Sequence, residues 1–137
     1  MTKVSEIMTT EPTTIDVRDP LTDALRALEA ANFHHLVVTE HDEPIGMVSS
    51  TDIYRLLHEL DLELDGSWGS YLDQQYTLED AMSTDLHTVQ ADDSVVAAAK
   101  ILSNGSFHSV VVLEETDLVG IVTTTDLARY IVDTASE

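Results

Sequence analysis

Apolar and polar positions along the chain switch between two periods. Residues 13–17 alternate in the manner of a short strand. Asp19 then stands at a cap position and Pro20 at a helix opening, and Leu21, Ala24, Leu25 and Leu28 recur at the spacing of one helical face. Residues 36–39 and 45–49 are β-rich runs joined by the polar turn 41–44, which predicts a hairpin, and a second helix is expected over 52–58. The order then repeats. It comprises a strand at 88–91, a helix with Val95, Ala98, Ala99 and Leu102 on its face, a stop at Asn104 and Gly105, hairpin strands at 109–113 and 119–123, and a helix over 126–132.

The repetition extends to identity. Sliding the chain by 74 positions lays residues 4–57 on 78–131 without a gap, and sixteen of the fifty-four pairs are identical. GMVSSTD at Gly46 to Asp52 falls on GIVTTTD at Gly120 to Asp126. The chain therefore divides into a first repeat at 1–59, a linker at 60–77 and a second repeat at 78–137. The linker is assigned by composition, an acidic stretch followed by a Gly- and Ser-rich one, with Trp68 expected to anchor it on the body. A half of about fifty-five residues buries little alone, so the fold class expected is α+β, two β-α-β-β-α repeats packed sheet to sheet about a pseudo-twofold axis.

Charge narrows the range of partners. Asp and Glu number 26 against six Lys and Arg, a formal net charge of -20, which repels nucleic acid and anionic lipid alike. The balance resembles that of proteins from salt-loving archaea, whose potassium-rich cytoplasm screens such repulsion; an ordinary acidic bacterial protein is the alternative. With no signal-like start and no apolar run long enough to span a membrane, a cytoplasmic location is expected. The chain has no cysteine, no Gly-x-Ser-x-Gly and no phosphate loop, so no catalysis is expected. Its histidines lack metal-ligand spacing.

Repeat period, element order and the twin heptapeptides together resemble the tandem CBS domain family over nearly the whole chain outside the linker. The resemblance implies a nucleotide-sensing regulatory module that needs no cofactor. Its ligand would be AMP, ADP or ATP, with S-adenosylmethionine or NAD as further candidates, held in clefts between the copies. It also implies a homodimer and a regulated enzyme or transporter as partner. A structural dimerisation module with empty clefts is the alternative.

By the same resemblance Ser49 with Asp52, and Thr123 with Asp126, are the main ligand residues. A hydroxyl at a strand end can hold a phosphate beside free helix amides, and a carboxylate three residues on can accept from two ribose hydroxyls. Helix capping asks for the same residue types. His34 and His108, each after a phenylalanine, occupy the place where the family has a basic residue facing phosphate, and His35 extends the first copy only. Arg55 and Arg129 stand three residues beyond the aspartates, awaiting an anion or pairing with Asp52 and Asp126. Phe33 and Phe107 border the base or pack the core. Thr14 and Ile15, with Thr88 and Val89, are candidates for backbone contacts to adenine. Val37 and Val111 replace a proline common in the family, which alters the backbone beside the base.

Overall fold

The computed structural model describes residues 1–30, 35–59, 68–105 and 109–135, with the backbone alone at 68–70. After a 3-10 turn at Val4–Glu6 the elements run β1 (Thr9–Thr10), β2 (Thr14–Asp16), α1 (Leu21–Ala30), β3 (His35–Glu40), β4 (Glu43–Ser49), α2 (Ser50–Glu59), α3 (Trp68–Gln75) and α4 (Leu78–Ala81). They continue with β5 (Thr88–Gln90), α5 (Val95–Leu102), β6 (Ser109–Glu114), β7 (Asp117–Thr123) and α6 (Thr124–Thr134). The fold is α+β, in two compact units. One is Thr13–Asp85; the other joins Met1–Pro12 to Leu86–Glu137. No described helix is long and apolar enough to cross a membrane.

In the unit Thr13–Asp85 the sheet order is β2-β3-β4. β2 runs parallel to β3 with Thr14 opposite Val37, and β3 runs antiparallel to β4 with His35 opposite Ser49. His41 and Asp42 close the hairpin at φ 52° and 66°, the mirror-image turn whose twist suits flanking strands. Ile15, Leu21, Leu25, Leu28, Leu36, Val38, Val48 and Ile53 form the core with helices α1 and α2. These are the positions that the strand and helix periods mark.

Two features of this unit depart from the sequence reading. The stretch assigned as linker contains helix α3, whose Leu72 is fully buried and belongs to the same core. Next to it, Asp73 accepts from the Thr22 amide at 3.1 Å and the Thr22 hydroxyl at 2.6 Å, satisfying an amide in the first turn of α1. Asp19, expected at that cap, instead accepts from the Asp16 amide at 3.2 Å and closes the turn after β2. With the Asp19 carboxylate turned back to the Asp16 amide, the carboxylate that serves α1 comes from α3.

In the other unit the sheet order is β1-β7-β6-β5. Thr88 lies opposite Val111 in parallel register, and Ser109 opposite Thr123 in antiparallel register. Val4, Val89, Ala98, Leu102, Val110, Val112 and Val122 make its core. Ser94 caps α5 through its hydroxyl, which accepts from the Val96 amide at 3.0 Å, and Gly105 ends the helix region at φ 82°, the conformation glycine adopts most cheaply.

The lead segments explain the boundaries of the units. Residues before the first strand of each repeat attach to the strand that carries the other repeat's heptapeptide. Thr9 pairs with Ile121 on β7, while Ser83 exchanges backbone bonds of 2.9 and 2.8 Å with Met47 on β4. Glycine is needed at the crossing. A Cβ at Gly46 would meet the Ser83 carbonyl at 2.7 Å, and one at Gly120 the Thr9 carbonyl at 2.9 Å.

Candidate functional site

Each heptapeptide ends at a strand-to-helix junction, and the backbone there dictates what its polar residues do. Ser49 ends β4; its hydroxyl accepts from the Asp52 amide at 3.1 Å, while Asp52 Oδ2 accepts from the Ser49 amide at 2.9 Å. Thr123 and Asp126 make the same reciprocal pair at 3.1 and 2.9 Å. These are capping boxes. The capping role that the sequence left open is thus in place in both repeats, and it occupies one carboxylate oxygen of each aspartate.

The second oxygen of each aspartate faces an arginine. Asp52 Oδ1 is 3.5 Å from Arg55 Nη1 and Asp126 Oδ1 is 3.6 Å from Arg129 Nη1, with both arginine side chains well exposed. The Asp52–Arg55 pair is open to solvent and contributes little, so a ligand hydroxyl can replace its guanidinium at small cost, whereas in the second pair only the arginine is exposed. Lys3, Arg18 and Arg26 also pair with carboxylates, Asp92, Asp16 and Asp23 in turn.

The two aspartates differ in their remaining contacts. Thr9 Oγ1 lies 3.4 Å from each oxygen of Asp126, which is 7% exposed. Its repeat counterpart, Ser83, accepts from the Asp85 amide at 3.4 Å, and the Asp52 side chain is 23% exposed. Thr9 was not singled out in the sequence. The register of β1 against β7 brings it there, and no periodicity reports a two-residue strand.

Of the other predicted residues, the sheets bring His35 opposite Ser49 and Thr14 beside Val37, with Thr88 beside Val111. Thr14, Thr88 and His35 are exposed. Ile15 and Val89 are buried in the cores, so only their backbones are available to a ligand. Val37 and Val111 are each 1% exposed. Phe33, His34, Phe107 and His108 lie outside the described residues, as does the side chain of Trp68.

Beside Asp126 an open groove of about 410 Å³ runs along α6, past Arg129, Tyr130 and Asp133, with Glu6 and Ile7 on its far wall. The Tyr130 hydroxyl donates to Thr2 Oγ1 at 3.0 Å, fixing the N-terminal residues against the helix. Glu6 and Asp133 were also missed by the sequence reading. Their repeat counterparts are Asp80 and Glu59, so the spacing of 74 that exposed the twin heptapeptides also pairs these acids.

With the doubled unit and its capped junctions described, the family follows. The CBS domain model matches residues 4–59 and 78–133, and the chain belongs to the CBS domain family. An uncharacterized protein of Methanocaldococcus jannaschii is 32% identical over 138 residues, covering 96% of this chain; the chain spans 32% of that protein's length. The CBS domain pair of protein MJ0100, solved in complex with 5′-methylthioadenosine and S-adenosyl-L-methionine, superposes at a TM-score of 0.78 and 25% identity, over 98% of this chain and 99% of that one. CBSX2, solved in complex with AMP, shares the fold at a TM-score of 0.78 and 22% identity, over 97% of this chain and 98% of that one.

Proposed function

We propose that this chain is a regulatory module that binds an adenosine-type ligand at the mouths of α2 and α6. The observation that carries this reading is the doubled capping box. In each copy one aspartate oxygen serves the helix end and the other faces an arginine whose side chain is exposed, with Thr9 Oγ1 a further neighbour of Asp126 Oδ1 at 3.4 Å. A carboxylate so placed can accept from ribose hydroxyls, and Ser49 and Thr123, whose oxygens accept from backbone amides, keep their hydroxyl protons for donation. Adenosyl ligands in the CBS pair of MJ0100 and AMP in CBSX2 support the choice of ligand. Occupancy would act by biasing the conformation that a partner protein reads.

Calorimetry with AMP, ADP, ATP and S-adenosylmethionine in molar potassium chloride tests the proposal, together with thermal melts of Asp52→Ala and Asp126→Ala. Loss of the capping box lowers the baseline Tm of each variant, so the informative quantity is the ligand-induced increment, which should shrink in each single variant and vanish in the double. Folded protein that gives no heat with any of the four compounds defeats the sensor reading.

A second reading, a dimerisation module with empty clefts, is favoured by the exposure of Ile131 and Val132 on α6, at 64% and 74%. Under it, sedimentation shows a dimer whose dissociation constant no adenosine compound changes.

A further inference from the structure

We infer that the groove beside Asp126 selects adenosine compounds whose 5′ group is uncharged or cationic over those ending in phosphate. The inference rests on the adenosyl-binding reading above and specifies its ligand class. Two independent features of the groove lead to it.

The first is charge. Glu6, Asp126 and Asp133 line the groove, and Arg129 is the single basic side chain among its lining residues. Arg129 is already directed at Asp126. Asp133 sits in the last turn of α6, where unpaired carbonyls add partial negative charge to its own. A phosphate monoester brings close to two negative charges into this surface, a thioether brings none and a sulfonium brings a positive one. The composition is repeated, since Asp80, Asp52, Glu59 and Arg55 hold the corresponding positions of the other copy.

The second is the state of the helix N-terminus. Phosphate binds such ends through amides that lack partners. Here the amides of Thr123 and Asp126 are both taken by the capping box. A phosphate arriving at α6 is left the amides of Thr124 and Thr125, and would have to break the cap to gain the other two. A ribose needs Asp126 Oδ1, which it gains by displacing Arg129 and the long contact from Thr9 Oγ1.

The test is calorimetry on the full chain with 5′-methylthioadenosine, S-adenosylmethionine and AMP, three ligands that share the nucleoside and differ at the 5′ position. The expected result is a Kd for the first two at least about tenfold below that for AMP, narrowing as potassium chloride rises from about 0.2 to about 2 M because the discrimination is screened. The double variant Glu6→Gln, Asp133→Asn should narrow the ratio as well, by raising affinity for AMP. Glutamine can keep the bond that Glu6 Oε2 accepts from the Lys3 amide at 2.6 Å, so the turn survives. AMP binding as tightly as 5′-methylthioadenosine, or a preference that the double variant leaves unmoved, overturns the inference and leaves the sensor reading intact. Silence from all three ligands, with the protein folded, removes both.

Discussion

Asp16 and Arg18 show how little of the chain's scarce positive charge is left without an acidic neighbour. The Arg18 side chain hydrogen-bonds the Asp16 carboxylate, and with help from the Arg18 amide it lowers the Asp16 pKa from 3.8 to about 2. A depressed carboxylate pKa stabilises the fold fully above 3.8, and that contribution is lost as pH falls through about 2. Arg18→Ala should move the Asp16 midpoint back up toward 3.8, read from its carboxyl carbon by NMR. An unmoved midpoint would mean that the guanidinium is not the cause. Gly46 permits a sharper test of packing. Its missing Cβ leaves room for the Ser83 carbonyl, which backbone pairing on β4 holds in place, so Gly46→Ala should cost about 1–3 kcal/mol in a urea melt. The residue scale is also where the sequence was most informative and most ambiguous. The Ser/Thr and Asp of each heptapeptide were legible as a unit, but the same atoms serve a helix end and a ligand, and only geometry showed how one carboxylate divides its two oxygens.

At the scale of elements, the regular pieces were legible because each leaves an apolar pattern. Leu36, Val37 and Val38 make a short buried run, Leu21, Leu25 and Leu28 follow a helical stripe, and the strands and helices built on them appear within a residue or two of their expected places. Helix α3 escaped because it is short and its composition is that of a linker. It reaches the core through Leu72, and Asp73 caps another helix, neither of which leaves a periodic trace. Leu72→Ala should therefore lower stability by about 2–5 kcal/mol, the cost of a cavity in a core, whereas the same change in a true linker would cost nothing measurable. Chemical denaturation distinguishes the two.

Across the whole molecule, the dominant force to be managed is the net charge of -20. Self-repulsion of that size falls as counterions shorten its range, so Tm should climb as potassium chloride is raised from about 0.1 to about 2 M, by calorimetric scan. A flat response would show that the carboxylates are neutralised locally instead. The total charge was plain in the composition, but its disposition was not. That Glu6 and Asp133 border one groove depends on the N-terminal turn lying against α6, a relation between residues at opposite ends of the chain.

The crossing of the lead segments makes the two repeats depend on each other. A single repeat, carrying one heptapeptide and one lead strand, has no second copy within its own chain to cover the free side of its signature strand, so it could complete that edge only by borrowing the lead segment of a twin.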